Sequence, residues 1–233
     1  MKKRLVCQVP LEDCYLDNCP ACKGNGEKLE DEIVEIFEQN GSESVSYERW
    51  AKVDKITKVI VCTDDVQDFA HYLVKELQAL KTHAYLTKKQ ETYFHESVKT
   101  LPLNHYVLIL DFAENFMFRE QNAVSNAFYN YEQATLLPIL LYFNEDGNVR
   151  SQSYCVVSPS MDHCPATVHL FLSLILNQLK SENRKIDFLK IFSDGAPQQF
   201  KNCSNFSSIV NFESDFSIKM EWNFFTSSHG KGL

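Results

Sequence analysis

Five consecutive apolar residues, Tyr106 to Leu110 (YVLIL), end abruptly in Asp111. A run so short, apolar at every position rather than at alternate ones, reads as a strand buried on both faces, and strands of that kind belong to sheets covered on both sides. The pattern recurs at Phe188 to Phe192, closed again by an acid in Ser193-Asp194-Gly195. Between the two, Leu136 to Phe143 reads as a strand, Asn144-Glu145-Asp146-Gly147 as a turn, and Arg150 to Ser158 as the hairpin partner. Pro165 opens a helix over 165–181 whose apolar positions (Val168, Phe171, Leu172, Ile175, Leu176, Leu179) repeat at helical spacing. A helical segment near 203–212 and a strand from Ile218 to Thr226 close the series.

The order strand, strand, strand, helix, strand, helix, strand defines an α/β chain. A meander followed by alternating elements, with Asp at two strand ends, is the order of a ribonuclease-H-like mixed sheet. In such a sheet the first and fourth strands are neighbours, so Asp111 and Asp194 would face each other at their C-terminal ends. Two carboxylates that close repel unless a cation lies between them. Hard oxygen donors suit Mg²⁺ or Mn²⁺, which also take phosphate oxygens as ligands. Each Asp taken alone reads more often as a turn-former or a helix cap than as a metal ligand.

The front of the chain is different. Cys7, Cys14, Cys19 and Cys22 form C-x6-C-x4-C-x2-C within 16 residues, half of the eight cysteines. The two-residue gap from Cys19 to Cys22 lets one turn present two thiolates to a tetrahedral Zn²⁺. Free or redox-active thiols and a disulfide are the competing readings, and the gap from Cys7 to Cys14 is the longest in the set. Cys62, Cys155, Cys164 and Cys203 are scattered, as small buried apolar residues would be. Helical spacing (Leu29, Ile33, Ile36, Phe37) predicts a helix over 27–40 ended by Gly41. After a Val/Tyr/Trp stretch (Val45, Tyr47, Trp50), Asp64 or Asp65 is placed to cap a helix over 65–81, and a separate helix over 87–100 stops before Pro102. The expected organisation is a Cys-rich zinc-binding segment at 1–26, a helical region at 27–102 and the mixed-sheet core at 103–233.

Charge narrows the partners. The 23 Lys and Arg against 31 Asp and Glu give −8, shared equally between residues 1–100 and 101–233. No basic arm is present, which counts against tight non-specific DNA binding by the isolated chain, though a local basic groove is compatible. The longest apolar runs are of core length, so no membrane span is expected. The basic start (MKKRLVCQVP) has no apolar stretch behind it, which predicts a nuclear or cytoplasmic protein rather than a secreted one.

Taken together, Asp111-Phe-Ala-Glu-Asn115, Gln133-Ala-Thr135 with Pro138, Ser193-Asp-Gly195 followed by Gln199-Phe-Lys-Asn202, and Trp222 leading into Phe224-Phe-Thr-Ser-Ser-His-Gly-Lys-Gly232 resemble a family of transposon-derived proteins of animal genomes. Cys14, Cys19, Cys22, Trp50 and Gln90 fit the same family. It resembles in turn the core of a DDE-type transposase or integrase, a metal-dependent DNA strand-cleaving and strand-transferring enzyme. The resemblance implies that Asp111 and Asp194 are the first two metal carboxylates. Lys201, His229 and Lys231 are candidate nucleic-acid contacts, His229 reading also as a plain loop residue. The family continues past the HGKG segment into a further helix, where a DDE core carries its third acid. This chain ends at Leu233, and Glu213 and Glu221 come too early to replace that acid. The expectation is a truncated, inactive transposase remnant. The alternative is a non-catalytic zinc-containing module that binds nucleic acid or protein.

Overall fold

The computed structural model of the chain describes residues 4–118 and 132–226. Two compact units are present, Met1–Leu86 and Thr87–Leu233.

In the first unit, α1 (Glu12–Tyr15) and a single 3₁₀ turn (Pro20–Cys22) precede α2 (Asn25–Gln39), β1 (Ser44–Val53), β2 (Ile56–Asp65) and the first part of α3 (Val66–Lys99). The apolar stripe of α2 does what its spacing predicts except at Ile36, which is exposed. Leu29 and Ile33 are buried with Leu5, Ala70 and Val74, and Val34, Phe37, Leu73 and Leu77 pack against them. After α2 the chain turns through Gly41, whose φ of +69° favours glycine.

Two expectations for residues 27–102 are corrected. The stretch 44–65 is not helical but a β-hairpin, with Ser44 paired to Asp65 and Val53 to Ile56. Its two-residue turn, Asp54-Lys55, holds both residues at positive φ (53° and 66°), the geometry that matches the twist of a hairpin. The alternation Val45, Tyr47, Ala51, Val53 carried the signal, but the turn lacks the glycine that usually advertises it. Secondly, the helices expected at 65–81 and 87–100 are one helix of 34 residues. No Gly or Pro occurs between Val66 and Lys99, so nothing in that stretch stops the helix. Asp65 caps it, its Oδ1 accepting from the Asp68 N–H at 2.8 Å.

The second unit is built on β3 (His105–Leu110), β4 (Phe116–Met117), β5 (Gln133–Glu145), β6 (Asn148–Ser158), α4 (Pro165–Ser181), β7 (Phe188–Ser193), α5 (Cys203–Phe216) and β8 (Lys219–Phe224). These strands form a mixed sheet in the order β6-β5-β3-β7-β8, with the short β4 also on β5. The β3–β5 and β5–β6 pairs are antiparallel, whereas β3–β7 and β7–β8 are parallel. The chain reaches β7 from β6 through α4 and β8 from β7 through α5, the helical crossovers that a same-sense neighbour requires. The hairpin turn between β5 and β6 uses Asp146 and Gly147 at φ 52° and 82°, and Asn144 Oδ1 accepts from the Gly147 N–H at 3.0 Å.

Strand β3, apolar from Tyr106 to Leu110, is buried on both faces. Tyr106, Leu108 and Leu110 lie in the main core with Leu172, Leu176 and Leu179 of α4 and Phe212 of α5. Val107 and Ile109 face the other way and pack with Phe94 and Val98 of α3. The end of α3 therefore supplies the layer that the sequence pattern of β3 demands. Gln90 adds a polar tie, donating to Phe224 O and accepting from the Thr226 N–H, both at 2.7 Å. Among the described residues no helix is long and apolar enough to cross a membrane.

Candidate functional site

The cysteine cluster is assembled by local turns. Cys14 sits within α1 with its N–H bonded to Leu11 O at 3.0 Å. Asp13 O accepts from both Asn18 and Cys19 N–H groups (3.0 and 3.1 Å), which folds the chain back after α1 with Asp17 at φ 61°. Pro20 starts the 3₁₀ turn, and its fixed φ brings Cys22 N–H onto Cys19 O at 3.1 Å. The loop is fastened to α3 from outside: Lys81, almost fully buried, pairs with Asp17, Thr82 Oγ1 donates to Tyr15 O at 2.7 Å, and Tyr15 stacks on Tyr85 at 4.6 Å.

As a result the Sγ atoms of Cys7, Cys14, Cys19 and Cys22 all lie within 4.8 Å of one another. Cys7 stands 3.4 Å from Cys22 and 3.8 Å from Cys19. Four thiolates around a tetrahedral ion with bonds of about 2.3 Å sit about 3.8 Å apart, so the cluster could hold a metal such as zinc. The thiols also perturb one another. Cys7 is pushed up to about 12, first by its hydrogen bond to Cys22, and burial pushes Cys22 up. Cys14 is drawn down to about 7, chiefly by a hydrogen bond from the backbone at Leu11. One thiolate forms readily, and the next ones need a cation to offset their mutual repulsion.

All eight cysteines are free thiols. The expectation that the four scattered ones are buried is corrected: Cys62 is half-buried, and Cys155, Cys164 and Cys203 are exposed. Their positions explain it, since Cys155 lies on the outermost strand β6, Cys164 precedes the first turn of α4, and Cys203 is the first residue of α5.

At the other candidate site, Asp111 follows the last residue of β3 and Asp194 the last residue of β7. These strands are parallel neighbours whose register runs from His105 opposite Phe188 to Ile109 opposite Phe192. The same offset carried two residues further sets position 111 opposite position 194. Both residues are half-buried. Asp194 Oδ1 accepts from the Ala196 N–H at 3.1 Å, the local turn bond that any strand-end Asp can make. Its neighbour Ser193 is held by Trp222, whose Nε1 donates to Ser193 Oγ at 2.9 Å.

Aromatic rings tie the two strand ends together. Phe112, directly after Asp111, lies 5.8 Å from the fully buried Phe200 and stacks on His163 at 4.2 Å. His163 in turn shares a 3.0 Å hydrogen bond with the buried Thr135 hydroxyl. No sequence signal singled out His163, a titratable group at this end of the sheet, because only the fold brings residue 163 to residue 112. Lys201 is exposed, and its stem passes beside Gly195. His229 and Lys231 lie outside the described residues. Glu114 and Glu213 are exposed, whereas Glu221 is engaged with Tyr93 at 2.6 Å and Lys190 at 3.7 Å. Among the described residues, the four cysteines are the one group of three or more His, Cys, Asp or Glu side chains close enough to share an ion.

Two family profiles match the chain. Residues 1–81 match one described as a domain of unknown function (DUF8700), and residues 90–233 match a second, also described as a domain of unknown function (DUF8701). No curated protein and no solved structure matches it.

Proposed function

The chain belongs to the DUF8701 family through residues 90–233, and for that domain we propose a ribonuclease-H-like core of DDE-transposase descent that binds a divalent ion between Asp111 and Asp194. The observation that carries this reading is the strand arrangement. The sheet order β6-β5-β3-β7-β8, with β5 antiparallel to β3 and with β7 and β8 parallel to it, is that of a ribonuclease-H-like sheet numbered 3-2-1-4-5. The two Asp residues follow strands one and four of that scheme at one common register offset.

The donor set is carboxylate oxygen, which fits Mg²⁺ or Mn²⁺ and not a soft metal. Such an ion, when bound, would take a phosphate oxygen of DNA and acidify a water. The chain's own part is to hold both carboxylates at adjacent strand ends, with Ser193 fixed by Trp222 and the loops packed through Phe112 and Phe200. No third described side chain completes a three-ligand group there. Two-ion chemistry depends on position, so a site with two carboxylates is expected to bind the ion and cleave DNA poorly.

Titration of Mn²⁺ into the chain tests the reading. Binding that disappears in both Asp111→Asn and Asp194→Asn supports it, and an unchanged isotherm in either variant sinks it. Nicking of a short DNA duplex in Mn²⁺, abolished by Asp111→Asn, would support the site while overturning the low turnover.

A second reading rests on a different observation, the four Sγ atoms within 4.8 Å. In it residues 1–86 hold a structural zinc ion and the chain serves as a binding module. Zinc content in protein purified without chelator, lost in Cys19→Ser, separates that role from the first, since Asp111→Asn leaves it unchanged.

A further inference from the structure

Charge in the β1–β2 hairpin is segregated along its length. Its base half carries Glu48, Asp64 and Asp65, with Glu43 just before β1, whereas the ten residues from Arg49 to Lys58 hold Arg49, Lys52, Lys55 and Lys58 against Asp54 alone. That is a net +3 in a chain of −8. Lys52, Lys55 and Lys58 are exposed, and among the described residues none of them forms an ion pair. Unpaired cations gathered on one tip, in an otherwise acidic molecule, offer a localised attraction for polyanions.

The two faces of the hairpin differ as well. One is used internally, with Tyr47 against Phe69 at 5.0 Å and Tyr72 at 5.4 Å, and with the Arg49 guanidinium over Tyr72 at 5.3 Å. The other presents Trp50, 72% exposed, across from Val59, and Val61, 70% exposed, across from Glu48. Lys52 lies on this same face, two residues and about 7 Å from Trp50 along the strand, Lys55 sits in the turn, and Lys58, opposite Ala51, stands at the tip on the other face. An exposed indole beside a cation costs solubility unless it meets a partner with both an apolar plane and negative charge. A nucleobase with its phosphate is such a partner, and the base must be unstacked for its face to be reached.

We propose that the tip and outer face of the β1–β2 hairpin bind single-stranded nucleic acid, Trp50 stacking on a base while Lys52, Lys55 and Lys58 lie against phosphates. The inference narrows the partner class of the preceding section but needs neither Asp111 nor a divalent ion. Arg49 is excluded from the phosphate set because its guanidinium is already engaged with Tyr72 and Cys62.

Fluorescence anisotropy of a labelled oligo(dT) of about twenty nucleotides, read in EDTA with the full chain, tests it. Trp50→Ala is expected to weaken binding about tenfold, as loss of one stacked base does, and Trp50→Phe to retain most of it. Changing Lys52, Lys55 and Lys58 together to Gln should flatten the slope of log K against log salt by about 2, at about 0.7 for each phosphate contact on a single strand. Circular dichroism melts establish that the variants fold. Equal affinity of wild type and Trp50→Ala overturns the proposal, as does an unchanged salt slope in the triple variant. Association with anionic lipid vesicles in the absence of oligonucleotide binding overturns it too, by identifying a membrane surface as the partner. Asp111→Asn should bind the oligonucleotide like wild type in EDTA, so failure here and failure of the metal site are told apart.

Discussion

Phe200→Ala should cost the second unit about 3–5 kcal/mol. The ring is fully buried and lies 5.8 Å from Phe112 and 6.2 Å from Trp222. A phenylalanine side chain removes roughly 150–200 Å² from water, worth about 4 kcal/mol at about 25 cal/mol per Å². Alanine keeps only a small part of that, and the cavity adds to the loss where the surroundings cannot collapse. Collapse is hindered here because the Phe200 backbone is tied by its N–H to Ala196 O at 2.8 Å, while Asn205 Nδ2 donates to Phe200 O at 2.7 Å. Beyond burial, the Phe112–Phe200 pair should show a coupling of about 0.5–1.5 kcal/mol in a double-mutant cycle. Urea unfolding followed by Trp222 fluorescence, in a Trp50→Phe background so that a single indole reports, gives both quantities. Phe200→Leu serves as the milder control at under about 1.5 kcal/mol. A cost below about 1 kcal/mol for Phe200→Ala, or zero coupling with Phe112, would refute the claim that aromatic packing locks the loops after β3 and β7 together. Mn²⁺ affinity measured on the same folded variants then shows whether that lock matters for the carboxylates.

Further outcomes follow from the rest of the molecule. Adding a strong chelator should lower the melting temperature of zinc-loaded chain, and Cys14→Ser should drop its zinc from about one ion per chain toward none, because structural sites need four ligands; metal analysis and calorimetry read both. Asp65→Ala removes the cap from the Asp68 N–H and should cost about 1 kcal/mol, whereas Asp65→Asn keeps most of it, as seen by thermal unfolding. The carboxyl of Glu182 is held below its ordinary range by hydrogen bonds from Gln178, Arg184 and Tyr154, and that of Asp187 by Asn104 and Lys185. Both are depressed in the folded state, so their stabilisation is present above the ordinary carboxylate range and lost as pH falls through the lower folded values. Urea midpoints at pH 7 should therefore exceed those at pH 3, and Glu182→Gln together with Asp187→Asn should shrink the difference.

Much of the second unit is written in local pattern. The unbroken apolar run of β3, the Asp-Gly turn after β5 and the stripe of α4 each state a period or a turn chemistry within a few residues, and their elements form where those signals lie. The same holds for α2. Local pattern failed where the deciding partner was distant. The hairpin at 44–65 needed the rings of Phe69 and Tyr72 behind Tyr47 to make its alternation count. Helix α3 ran on through a polar middle because its far end covers β3 and its near end covers α2.

The chemistry divides in the same way. Spacing alone made Cys14, Cys19 and Cys22 a plausible ligand set, since neighbouring turns bring them together within a few residues. Only the folded loop carries Cys7 to within 3.4 Å of Cys22. Residues 111 and 194 are 83 positions apart, and no periodicity within the chain relates them. The parallel register of β3 and β7 does so, because each strand slides until its apolar side chains find the core and the backbone bonds then fix the offset. The sequence by itself determined the strands and helices of the second unit from β3 onward and which residue types stand at their ends. The order of elements raised the expectation that two of those ends meet, and tertiary structure alone set the register, for a contact across a sheet depends on burial summed over whole elements rather than on any neighbouring residue.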